Sequence, residues 1–171
     1  MKLQYGLHMV AHPSDSGIRF VFHLTKKPEE LGPHEAFHEV RVSKGILSRF
    51  RDDELGDAEA KRVGTHFSVD FFNPLQCVGP YPGTGVLARH LVAQYLKERY
   101  PNHTISHEMG DADTGKAHLR ELNVEPNKSY PVQEFAARIE RLYTRLKERY
   151  RENAFEIDDD AERYRSGAQE L

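Results

Sequence analysis

A single cysteine, Cys77, stands in a chain of 171 residues. No intramolecular disulfide can form, which excludes a disulfide-stapled scaffold and points to a reducing compartment. No apolar run approaches the roughly 20 residues that a membrane-spanning helix needs. The first residues carry no apolar signal-peptide region either, so the expected location is the cytoplasm, away from any membrane. The net charge is only −3, with no basic stripe of the kind that a nucleic-acid surface requires. What remains is enough chain for one domain with a real core, expected over residues 1–151. The acidic run Asp158-Asp159-Asp160 then marks residues 152–171 as a weakly ordered tail.

The stretch from His66 onward organises the rest. His66-Phe67-Ser68-Val69-Asp70-Phe71-Phe72 alternates polar and apolar residues, the period of a half-buried strand. Asn73-Pro74 interrupts it, since proline has no N–H to give a ladder. A short apolar run, Leu75 to Val78, leads into Gly79-Pro80-Tyr81-Pro82-Gly83-Thr84-Gly85. Leu87, Leu91 and Tyr95 then recur at helical spacing, and Tyr100-Pro101 stops the helix. Strand, glycine turn and helix in that order make a seat for a phosphate. The glycines let the backbone approach a ligand, and the first helical N–H groups have no internal partners. Val78, Gly83, Thr84, Gly85 and Val86 are the residues expected to line it.

Upstream, Leu3, Tyr5, Leu7, Met9 and Ala11 alternate with Gln4, Gly6, His8, Val10 and His12, and Ile18, Phe20, Phe22 and Leu24 alternate with Arg19, Val21, His23 and Thr25. Pro13-Ser14-Asp15-Ser16-Gly17 between them is turn chemistry, which predicts a β-hairpin with one apolar face to cover. Ala36, His38, Val40 and Val42 predict a third strand. Residues 46–63 are polar and helix-permissive, and one or two short helices are expected there. Residues 103–109 read as a further strand. Residues 131–150 carry Val132, Phe135, Ala136, Ile139, Leu142, Tyr143 and Leu146 on one stripe, the mark of an amphipathic helix.

Two short motifs invite other chemistry. His34-Glu35-Ala36-Phe37-His38 spells H-E-x-x-H, which in a zinc peptidase places two histidines on one helical face. The alternation through this segment favours a strand, which separates the pair, and no third ligand is signalled. No metal is therefore expected. Gly110-Asp111-Ala112-Asp113-Thr114-Gly115-Lys116-Ala117 fits G-x-x-x-x-G-K, but Ala117 replaces the magnesium-binding hydroxyl of a phosphate loop. Asp111 and Asp113 would also repel phosphate. A helix over 116–122, capped at Asp113 or Thr114, is the expectation instead.

Phe71-Phe72-Asn73-Pro74, the run from Pro80 to Leu91 with Gly83-Thr84-Gly85 at its centre, the strand at 103–109 and a helix after Asp113 resemble the core of the GNAT-type N-acetyltransferases. That family's pattern is a strand ending in a bulge, then [RQ]-x-x-G-x-[GA] opening a helix, then a strand and a second helix. The resemblance covers residues 66–124. It implies an α/β (α+β) fold with a mixed, largely antiparallel central sheet flanked by helices, here with a long C-terminal helix. It implies acetyl-CoA as co-substrate, with its pyrophosphate on the glycine turn. It implies an N-acyltransferase in which a small-molecule or protein amine attacks the thioester directly. Asp70, Glu108 and His107 are the candidate bases, and backbone N–H groups in 75–78 would face the thioester carbonyl.

Pro80 stands at the family's Arg/Gln position, and Leu119-Arg120-Glu121-Leu122 offers no tyrosine to protonate a leaving thiolate. These departures keep open a catalytically inactive GNAT-like protein that binds a partner. A zinc hydrolase built on His34, Glu35 and His38 is the third possibility, and homodimer formation is left open.

Overall fold

A computed structural model describes residues 5–39, 41–42, 54–70, 84–108, 124–149 and 156–157. The hairpin is present as β1 (Tyr5–Ser14) and β2 (Gly17–Lys26), with Met9 opposite Phe22 and Ala11 opposite Phe20. Asp15 and Ser16 make the two-residue turn. Gly17 follows at a φ of 151°, where a side chain is strained and a Cβ would collide with the Ala60 carbonyl. β3 (Glu35–Glu39) pairs antiparallel with β1 on the other side. Gly6 permits that approach, because a Cβ there would strike the backbone of His38. β4 (Arg41–Val42) continues the chain and pairs in parallel with β9 (Glu156–Ile157), a two-residue strand inside the segment read as a tail.

Residues 54–63 correct the expectation of short helices across 46–63: they form β5 (Glu54–Val63), antiparallel to β2. Residues 46–53 lie outside the described residues. The alanines and charges of β5 favour a helix on intrinsic grounds. They also alternate: Ala58 and Ala60 are fully buried beside their cross-strand neighbours Phe20 and Ile18, while Asp57, Glu59 and Lys61 stand on the opposite face. Both alanines belong to the buried core, and that packing overrides propensity.

β6 (His66–Asp70) pairs antiparallel with β5, and α1 (Thr84–Arg99) then crosses over to β7 (Thr104–His107), which runs parallel to β6. β8 (Ser129–Pro131) adds antiparallel to β7 and leads directly into α2 (Val132–Arg149). The sheet has seven strands in the order β3-β1-β2-β5-β6-β7-β8. The architecture is α+β, with a mixed and mostly antiparallel sheet and two described helices.

One core joins α1 and α2 to a single sheet face, through Met9, Phe20, Phe22, Phe67, Val69 and Ile105. α1 buries Leu87, Ala88, Leu91, Val92, Tyr95 and Leu96, residues spread around much of its circumference, because it touches both the sheet and α2. α2 buries the stripe Val132, Phe135, Ala136, Ile139 and Leu142 and exposes Gln133, Glu134, Glu140 and Arg141. Among the described residues no helix is long and apolar enough to cross a membrane.

Candidate functional site

The parallel pair β6–β7 sets up the site. A strand–helix–strand crossover brings the carboxyl ends of both strands and the amino end of α1 to one side of the sheet, where open sheets place ligands. Asp70 ends β6, Glu108 follows β7, and Thr84-Gly85 opens α1. The Glu108 N–H donates to the Val69 carbonyl at 2.8 Å, so the parallel ladder extends to Glu108 and fixes it beside Asp70.

On the face away from the helices, alternation aligns His66, Ser68 and Asp70 of β6 with Thr104, Ser106 and Glu108 of β7. The Ser106 hydroxyl donates to Glu108 Oε1 at 2.9 Å. Its oxygen lies 3.0 Å from His66 Nε2, and His66 Nδ1 lies 2.7 Å from Thr104 Oγ1. With its own proton given to Glu108, Ser106 accepts from His66 Nε2–H, which fixes the proton on that ring nitrogen. Ser106 is buried; His66, Asp70 and Glu108 are half-buried. Desolvation, then the like charge of Glu108, pushes the Asp70 carboxyl up from its ordinary value; Glu59 adds to this and Lys61 opposes it. Asp70 therefore holds a proton more readily than a carboxyl in water does, with a second carboxyl beside it.

His107 belongs to the other face. It is 2% exposed and accepts a hydrogen bond from Arg89 Nε at 3.0 Å, while its Nδ1–H donates to the Glu108 carbonyl at 3.1 Å. Both ring nitrogens are engaged, so His107 holds the end of β7 against α1 rather than standing beside Asp70. Arg89 also donates to the Gly85 carbonyl at 3.0 Å, tying the first turn of α1 to β7. Burial lowers the guanidinium to about 10. A Cβ on Gly85 would lie 3.2 Å from Arg89 Nη1, so the glycine leaves room for this brace.

The structure thus unites Asp70 with Glu108 and separates both from His107. Gly85 and Val86 lie in the first turn of α1, and Val86 points into the core at 3% exposure. Val78 and Gly83 lie outside the described residues, as do Cys77, the G-x-x-x-x-G-K run and the expected helix at 116–122. Sequence reasoning missed Arg89, His66 and Ser106. The legible signal for the last two was that both strands carry polar side chains at the same parity. A lone arginine between Leu87 and Leu91 carried no such signal.

The H-E-x-x-H residues are parted by their strand. His34 Nδ1 lies 2.8 Å from the Tyr95 hydroxyl of α1, and His38 Nε2 meets the Tyr143 hydroxyl of α2. Glu35 lies on the opposite face, 3.5 Å from His8 Nε2. Tyr143 also stacks on His90 at 4.2 Å between ring centres and 5° between planes. His90 Nδ1 is buried with no hydrogen-bond partner among the described residues. Burial, reinforced by His38, pushes the His90 ring below its ordinary value, and Glu140 opposes this. Among the described residues no group of three or more His, Cys, Asp and Glu is placed to hold a metal.

The chain matches no protein-family model, no curated protein and no solved structure.

Proposed function

We propose that the protein is an acyl-CoA-dependent N-acyltransferase of GNAT type, acting on an amine at the carboxyl ends of β6 and β7. The observation that carries this is the pair Asp70 and Glu108 at the end of two parallel strands joined by α1. An amine arrives as an ammonium and must lose a proton before it attacks a thioester. A carboxylate pair with one member raised attracts the cation and has reason to take its proton. The amino end of α1, which holds Gly85 and is braced by Arg89, supplies N–H groups and a dipole for the anionic end of acetyl-CoA. In this scheme Glu108 and Asp70 are the base, Arg89 and His107 hold the helix, and the amine nitrogen displaces CoA to give an amide. An inactive protein of the same fold, binding a partner through the polar sheet face, is the alternative.

Thermal melting with acetyl-CoA, combined with mass analysis of a panel of small amines and lysine peptides, tests this. Ligand at about 100 times its Kd adds about 2.7 kcal/mol to stability. The double variant Asp70→Asn with Glu108→Gln should keep that shift and lose acetylation. Absence of any shift at millimolar acetyl-CoA or CoA would sink the proposal and leave the partner-binding alternative.

A further inference from the structure

We propose that Thr104 is a nucleophile, activated by His66, that takes the acyl group of a carboxylic ester and passes it to water. This activity is separate from the acyl transfer above and needs no CoA; the two share only Glu108, which here holds Ser106 and touches no substrate. Four side chains form one run of hydrogen bonds: Thr104 Oγ1 with His66 Nδ1 at 2.7 Å, His66 Nε2 with Ser106 Oγ at 3.0 Å, and Ser106 Oγ with Glu108 Oε1 at 2.9 Å. The last link sets the direction of the others. Ser106 gives its one proton to Glu108, so its oxygen accepts from His66 Nε2–H. A neutral imidazole with its proton on Nε2 presents a lone pair at Nδ1, and the Thr104 hydroxyl donates to it. A hydroxyl donating to an imidazole whose other nitrogen is held by a third group is the arrangement of nucleophilic acyl transfer, whatever the order of its members along the chain.

The sheet holds the pair ready. His66 and Thr104 are direct partners in the β6–β7 ladder, and the Thr104 N–H donates to the Thr65 carbonyl at 2.9 Å. The branched Cβ of threonine restricts rotation about χ1, so Oγ1 keeps its aim at the ring. The same cross-strand row continues to Val63 of β5 on one side and Pro131 of β8 on the other. Val63 is 77% exposed and Pro131 is exposed as well, so the pair lies between two apolar side chains that face water. Such a border suits an ester whose acyl group is small and uncharged.

The chemistry balances within these groups, the ester and one water. Thr104 Oγ1 bonds to the ester carbonyl carbon as its proton passes to His66 Nδ1. Collapse of the tetrahedral intermediate breaks the bond to the leaving alcohol, whose oxygen takes that proton from the ring. Water then attacks the threonyl ester, giving a proton to Nδ1, and the ring returns it to Thr104 Oγ1 as the carboxylic acid departs. One ester and one water become one acid and one alcohol. Thr104 and His66 are the catalytic residues of this reaction. Ser106 and Glu108 are positioning residues, which keep the ring proton on Nε2.

The test uses the full chain with p-nitrophenyl acetate. Wild type should release p-nitrophenol, and mass mapping of acid-quenched protein should place an acetyl group on Thr104. Thr104→Val, of the same shape without the hydroxyl, should lose both, and Thr104→Ser should keep both. His66→Gln should slow release about a hundredfold or more. Nitrogen-15 histidine spectra should show His66 protonated at Nε2 and bare at Nδ1 in wild type, and a mixture of both tautomers in Ser106→Ala. Release from wild type no faster than from Thr104→Val, acetyl groups on lysine or histidine alone, or a His66 proton fixed on Nδ1 would each overturn the proposal. None of these readings involves CoA, so they stand whether or not the protein binds acetyl-CoA.

Discussion

On the helix-covered face of the sheet, Phe20, Phe22, Phe67 and Ile105 meet α1 and α2 with almost no exposure. On the other face the sheet presents Glu59 and Lys61 of β5, His66 and Asp70 of β6, and Ser106 and Glu108 at β7. The contrast lies in how each face treats a polar group. Where the covered face admits Arg89 and His107, each is tied to a fixed partner, since a buried polar atom left unpaired costs about 1–3 kcal/mol. The other face holds two carboxylates side by side, and partial burial together with the charge of Glu108 pushes Asp70 up. The large apolar side chains are concentrated on one face, and the two neighbouring carboxylates lie on the other.

Adjacent residues of β6 offer the strongest way to break that contrast. Phe67→Ala should cost about 3–5 kcal/mol through lost burial and the cavity left behind. Ser68→Ala, one residue along on the opposite face, should stay within about 0.5 kcal/mol. Urea unfolding of both variants measures the difference, and equal effects would mean that the faces are not distinct.

A smaller effect sharpens the contrast within the covered layer. Folding disfavours the charged His90 ring, so the unfolded chain binds more protons as pH falls below the ordinary value of 6.5. Its contribution to stability is therefore present above that pH and is lost on acidification. His90→Phe keeps the stack on Tyr143 and cannot titrate. Its stability should fall less steeply than that of wild type below pH 6.5, as chemical denaturation across pH would record.

The smallest effect belongs to the polar face and has the opposite sign. The native state favours a proton on Asp70, so stability declines as pH rises through the raised carboxyl range. Asp70→Asn removes a partly desolvated charge and its repulsion from Glu108 and Glu59, and should raise the neutral-pH melting temperature slightly, by no more than about 0.5 kcal/mol in stability. The gain should vanish in acid, where the aspartic acid is already neutral. A loss at neutral pH would show that Asp70 is held by attraction instead.

The hairpin, β6 and α1 were legible because their apolar spacing matches their final burial. β5 was not, because alanine favours helices in isolation and only the neighbouring Phe20 and Ile18 give small residues a reason to be extended. Asp70 and Glu108 could be picked out as polar residues at strand ends. The division of Glu108 from His107 needed the register of β7, and Arg89 could be placed only once α1 and β7 were in contact.

The two ends of the sheet bear on how this protein behaves in a crowded solution. Its described edges are β3, five residues long with a glutamate at each end, and β8, three residues long and closed by Pro131. Short edges with charge or proline offer little free ladder to another chain, and unpaired strand edges are where copies stick together. The mismatch between a broad sheet and such clipped margins protects a concentrated sample from growing strand by strand into aggregates.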